Sequence, residues 1–209
     1  MIIKVCGLKE KEHALSAARA GADLIGFVFA GSPRRVTPEQ AGSIIRELPG
    51  TVKKVGVFVD EDSGVVNDII SRCGLDMVQL HGRETPDYCG EIICPVIKAF
   101  RIRDAETLNQ MIPYRDKVEM FLMDTYVQGT TGGTGKTFDW SLARRASDLG
   151  KVLLAGGLTH GNVRTAIELA KPYGVDVSSG VETGGVKDIT KIEAFIAEAR
   201  GNQDVRITG

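Results

Sequence analysis

Short runs rich in valine and isoleucine recur along the chain, separated by longer stretches in which apolar residues return every three or four positions. The first pattern fits strands buried on both faces, and the second fits amphipathic helices. On the 209-residue sequence the strands fall at 2–6, 23–28, 53–59, 76–80, 96–100, 118–123, 151–155 and 174–177. Helices fall near 10–20, 37–48, 62–73, 84–92, 104–112, 139–147, 160–170 and 189–200. A helix follows every strand, and this strict alternation predicts an α/β protein of one domain, a (β/α)8 TIM barrel over residues 1–200 with minimal loops. An open doubly wound sheet would need a GxGxxG turn after the first strand, and Val5-Cys6-Gly7-Leu8 is not one. Thr37-Pro38-Glu39-Gln40 places proline at a first helical position, Thr85 and Thr190 are expected to cap in the same way, and Asp139 makes an N-cap for a helix from Trp140. The polar tail 201–209 lies beyond the last helix, with disorder the expectation.

A barrel collects its site at the C-terminal ends of its strands. Those ends are Cys6-Gly7, the stretch from Phe27 to Arg35, Asp60, Gln79 to Gly82, Phe100-Arg101, Asp124, Gly156-Gly157 and Ser178 to Gly180. Asp124 is followed by a loop, Gly129 to Gly135, of four glycines and three threonines, a composition expected of a mobile lid. As an isolated feature Asp124 could equally be a solvated strand stop. The run Gly135-Lys136-Thr137 resembles the end of a nucleotide-binding loop, but the pattern needs glycine at 130, where Thr130 stands. Cys6 alone fits a core thiol. Opposite Asp124 in a barrel mouth it becomes a base beside an acid, provided its surroundings lower it from the ordinary thiol value of about 8.5. Arg34 and Arg35 offer bidentate recognition of a carboxylate or, alternatively, form a solvated basic turn, and the pattern does not choose between the two side chains. Gly156-Gly157 and Ser179-Gly180 end the last two strands with small residues that bare backbone N–H groups, the usual barrel phosphate site. The ligand expected is a phosphorylated small molecule.

Composition narrows the classes further. A formal net charge of −1 without a Lys/Arg-rich run argues against nucleic acid as a partner, and no apolar stretch approaches a membrane span. The N-terminus lacks the features of a secretory signal, so the cytoplasm is the expected location. Four scattered cysteines without a CxxC pair fit reduced thiols, and three histidines without HExxH give a metal site little support. A monomer is expected, with a homodimer as the alternative.

Taken in order, Lys4-Val-Cys6-Gly7-Leu, Gly26-Phe-Val-Phe29, Ser32-Pro-Arg34-Arg35, Val55-Gly-Val-Phe58, Val78-Gln-Leu-His81-Gly82, Asp124-Thr125 and Gly135-Lys136-Thr-Phe-Asp139-Trp140 resemble the phosphoribosylanthranilate isomerase family. Gly156-Gly157-Leu and Asp176-Val-Ser-Ser179-Gly180-Val-Glu182 extend that resemblance to the last strands. It implies an Amadori rearrangement in tryptophan biosynthesis, without cofactor or metal. It also implies Asp124 as general acid, Cys6 as general base, Arg35 at the anthranilate carboxylate, Asp176 near the sugar hydroxyls, and Gly156, Gly157, Ser179 and Gly180 at the phosphate. Where the family commonly has Pro-Gly, this chain has Gly184-Gly185-Val186, and a looser loop is expected there. The competing expectations are another phosphosugar barrel enzyme and a non-catalytic sensor of a phosphorylated metabolite.

Overall fold

The computed structural model describes residues 1–102, 104, 106–124 and 140–201, the side chains of Trp140 and Ser141 excepted. Eight parallel strands close in sequence order: β1 (Ile2–Cys6), β2 (Leu24–Val28), β3 (Lys53–Phe58), β4 (Met77–Leu80), β5 (Val96–Arg101), β6 (Met120–Asp124), β7 (Val152–Ala155) and β8 (Gly174–Val177). The last pairs with the first, Lys4 opposite Asp176, so among these strands no edge is left. The intervening helices are α1 (Lys11–Ala20), α2 (Pro38–Ile45), α3 (Ser63–Cys73), α4 (Pro86–Glu91), α5 (Glu106–Met111), α6 (Trp140–Ala146) and α7 (Val163–Ala170), and α8 (Ile189–Arg200) closes the set. This is the expected (β/α)8 barrel.

The period of two along each strand sorts side chains into two cores. Leu24, Val55, Met77, Ile97, Met120, Leu122 and Leu153 fill the barrel interior. Ile3, Val5, Ile25, Phe27, Phe58, Val78, Phe121 and Leu154 point outward and pack under the helices. Full burial of a side chain of this size stabilises by about 1.5–3 kcal/mol, so the ring between strands and helices dominates.

Local signals set the helix starts. Thr37 accepts from the Gln40 N–H while the Gln40 side chain accepts from the Thr37 N–H, a complete capping box with Pro38 at the first position. Thr85 accepts from the Tyr88 N–H. The expected Thr190 cap is corrected: Asp188 is the N-cap of α8, its carboxylate accepting from the Lys191 N–H at 3.2 Å. A carboxylate there also faces the positive end of the helix dipole, which a threonine hydroxyl does less well.

Between β8 and α8 the loop is tighter than expected. Glu182–Thr183 and Val186–Lys187 pair as a two-stranded hairpin, β9 and β10. The two residues joining them, Gly184 and Gly185, have φ of 60° and 81°. A two-residue hairpin turn of this kind demands positive φ, and a glycine pair supplies it without strain. The lid at 129–135, the Asp139 cap and the tail 202–209 lie outside the described residues.

Candidate active site

Strand ends on the C-terminal side of the barrel surround a cavity of about 290 Å³. The inward alternation of β1, β6 and β8 delivers Cys6, Asp124 and Asp176 to its wall, and Gly156, Gly157, Ser179 and Gly180 line the same space. Asp124 is the last residue of β6 rather than the residue after it, so the strand itself fixes its direction. A larger cavity of about 610 Å³ adjoins on the side of β3 to β5 and shares His81, but the acid and the thiol belong to the smaller one.

Arg34 and Arg35 separate clearly. Arg34 lines the cavity, and its stem lies over Gly7, where a methyl group would stand 2.6 Å from the Arg34 Cδ. Its guanidinium grips Glu182 in bidentate fashion, Nε to Oε1 at 2.6 Å and Nη2 to Oε2 at 2.7 Å. Arg35 is exposed on the rim, with its N–H donating to the Ser32 carbonyl at 3.0 Å.

Charge behind the thiol is dense. Lys187, on the hairpin, donates from Nζ to the Ser178 carbonyl at 2.8 Å and to Glu182 Oε1 at 2.7 Å. Burial opposes ionisation of Glu182, yet Arg34 and Lys187 hold its carboxyl below the usual range. Burial also pulls the Lys187 ammonium below the ordinary lysine value, against the attraction of Glu182. Ser178 donates from its hydroxyl to the Cys6 carbonyl at 3.2 Å and so ties β8 to the end of β1.

Across the cavity, His81 Nε2 lies 3.8 Å from Asp124 Oδ2. The Gln79 amide nitrogen sits 2.9 Å from His81 Nδ1. Donation from the amide leaves the imidazole proton on the nitrogen that faces Asp124. On the side of β7 and β8, a short 3₁₀ turn spans Ser179–Val181, and any side chain at Gly180 would overlap the Leu158 carbonyl. Close approach of the two loops therefore requires glycine there, and bare backbone is the result.

On the far rim another carboxylate is held by backbone. Glu84, with 1% of its side chain exposed, accepts from the Asp60 N–H at 2.9 Å, from the Gly82 N–H at 3.0 Å and from Lys98 Nζ at 2.9 Å. Sequence patterns placed Asp60, Gln79, His81 and Gly82 at the mouth, carried Lys4 and Glu182 only as the ends of motifs with no role attached, and did not single out Glu84 or Lys187. Glu84 and Lys187 stand at single sites inside ordinary runs and carry no local signature.

A family model described as N-(5'-phosphoribosyl)anthranilate (PRA) isomerase matches residues 3–198. The isomerase of that name from Pelobacter propionicus is 50% identical over 200 residues, covering 95% of this chain and 95% of its own. The crystal structure of phosphoribosyl anthranilate isomerase from Thermotoga maritima superposes with a TM-score of 0.88 at 42% identity, over 96% of this chain and 100% of that one. A structure of such an isomerase in complex with reduced 1-(o-carboxyphenylamino)-1-deoxyribulose 5-phosphate gives a TM-score of 0.86 at 40% identity, over 96% of this chain and 100% of that one.

Proposed function

The chain belongs to the N-(5'-phosphoribosyl)anthranilate isomerase family, and from that premise we propose that Asp124 is the general acid and Cys6 the general base of its reaction. That reaction is the Amadori rearrangement of N-(5'-phosphoribosyl)anthranilate to 1-(2-carboxyphenylamino)-1-deoxyribulose 5-phosphate, a step of tryptophan biosynthesis. The observation that supports the assignment is the order of the strands: β7 and β8, with their glycine loops, lie between β6 and β1. A phosphate seated on those loops leaves its sugar between the acid and the thiol.

Asp124, in its acid form, gives its proton to the furanose ring oxygen. The C1–O bond breaks, and the nitrogen lone pair closes an iminium. That cation acidifies the C2 proton, which the Cys6 thiolate removes, and the resulting enol relaxes to the ketone. The order suits a modest base, because the proton is taken only after the iminium exists. Asp176 accepts from sugar hydroxyls with the acceptor capacity left beyond its single bond to Lys4. Arg34, which lines the cavity, rather than Arg35, which is exposed on the rim, takes the anthranilate carboxylate, and Gly156, Gly157, Ser179 and Gly180 take the phosphate. The enzyme is assigned to the cytoplasm.

The test is turnover of freshly generated phosphoribosylanthranilate, followed by loss of anthranilate fluorescence. Cys6→Ser and Asp124→Asn should each lower kcat by about 10²–10⁴-fold while still binding a product analogue. Wild type that binds the analogue without turnover would instead support a metabolite sensor, and a full rate in either variant removes that residue from the chemistry.

A further inference from the structure

Cys6 and Lys4 leave β1 on the same side, two residues apart, and both enter the barrel interior. Lys4 is fully buried, with its Nζ 2.8 Å from Asp176 Oδ1 on β8. Gly26, the register partner of Cys6 on β2, provides the room. A methyl group there would stand 2.7 Å from the Cys6 Sγ and 3.2 Å from the Lys4 Nζ, so thiol and ammonium crowd one point above a bare backbone. The ammonium is wedged between a carboxylate and a thiol, away from water. A charge so placed acts on its neighbour without the screening that weakens surface charges. Packing alone would not require it, since a methionine of similar length fills such a space with no charge to bury.

We propose that Lys4 is a positioning residue for the base: its buried ammonium holds Cys6 as thiolate, and Asp176 on its other side sets how much of that charge the sulfur feels. The inference rests on the reading of Cys6 as the base. Burial opposes the Lys4 charge, yet attraction to Asp176 and Cys6 pushes it up to about 12, so it stays an ammonium at neutral pH. The other charged or titratable groups around the thiol are Arg34 and Lys187, which share Glu182 between them, and Asp124 and His81 across the cavity. Arg34 and Lys187 are thus already matched to a carboxylate by short bonds. Lys4 divides itself between Asp176 and the sulfur.

Iodoacetamide alkylation at Cys6, resolved by peptide mass from Cys73, Cys89 and Cys94, gives the thiol midpoint directly when followed against pH. In Lys4→Met the midpoint should rise by about one unit or more, which slows alkylation near neutral pH by about tenfold. In Asp176→Asn, where Lys4 keeps its charge and loses its competitor, the midpoint should fall. Circular dichroism shows whether Lys4→Met folds; if it does not, the nearly isosteric Asp176→Asn decides alone. An unmoved midpoint in folded Lys4→Met, or one that stays or rises in Asp176→Asn, overturns the inference. The readout needs no turnover. An unmoved midpoint beside an inactive Cys6→Ser therefore sinks this inference only, whereas an active Cys6→Ser sinks the reading beneath it.

Discussion

Glu182 shows how much of the mouth depends on one carboxylate. Its side chain is 7% exposed, it joins Arg34 to Lys187, and its carboxyl is held below the usual range by both cations despite burial. A carboxyl lowered in the folded state contributes stability that is complete above its unfolded value, about 4.3, and is lost as pH falls through the lower folded value. Glu182→Gln should therefore cost about 3 kcal/mol near neutrality, as expected when one partner of a buried pair is removed. The gap between wild type and variant, measured by urea unfolding, should close as pH falls below about 4. A gap of equal size at both pH values would show that packing, not charge, is what the substitution removes. The same residue marks a limit of sequence patterns. Cys6 and Asp124 are legible because strand ends are legible and barrels place chemistry there. The bond from Arg34 to Glu182 spans 148 positions and that from Lys4 to Asp176 spans 172, distances at which no local spacing rule operates.

Among the elements, strands were the most legible because runs of β-branched residues between turn signals have few other uses. Strand β6 starts two residues later and ends one residue later than the pattern suggests: pairing of Asp124 with Arg101 and Ala155 carries the ladder to that carboxylate. The hairpin escaped notice because its strands are two residues each, too short for any period to show. Its turn makes a sharp prediction. Gly185 has φ of 81°, and Gly185→Ala should cost about 1–2 kcal/mol, the penalty for an L side chain in that region. Because β10 carries Lys187 to Ser178, the variant should also speed amide exchange across residues 182–187 beyond the loss of global stability. Exchange that rises uniformly over the barrel would show that the hairpin merely shares in the general loss. At the start of α2, removal of the capping-box hydroxyl in Thr37→Ala should lower stability by about 1 kcal/mol with turnover unchanged, measured by urea midpoint and initial rate.

For the whole molecule, the expected closure follows from β8 pairing with β1, which removes the sheet edges that would otherwise invite a second chain. Among the described residues, no helix is long and apolar enough to cross a membrane. Large apolar side chains that remain exposed among those residues include Val65 on α3, Ile93 after α4, Leu169 on α7 and Val186 on β10. The carboxylate of Glu84 gives the mouth a direction. It occupies the N–H groups of Asp60 and Gly82 on the β3–β4 rim, half a turn around the ring from the glycine loops of β7 and β8. The N–H groups of Asp60 and Gly82 are thus taken by the protein's own carboxylate, whereas the proposed phosphate seat lies on the opposite rim. With a phosphate seated as proposed, the substrate would lie across the opening in one sense only. An eight-fold repeat of strand and helix would thereby distinguish the head of a ligand from its tail.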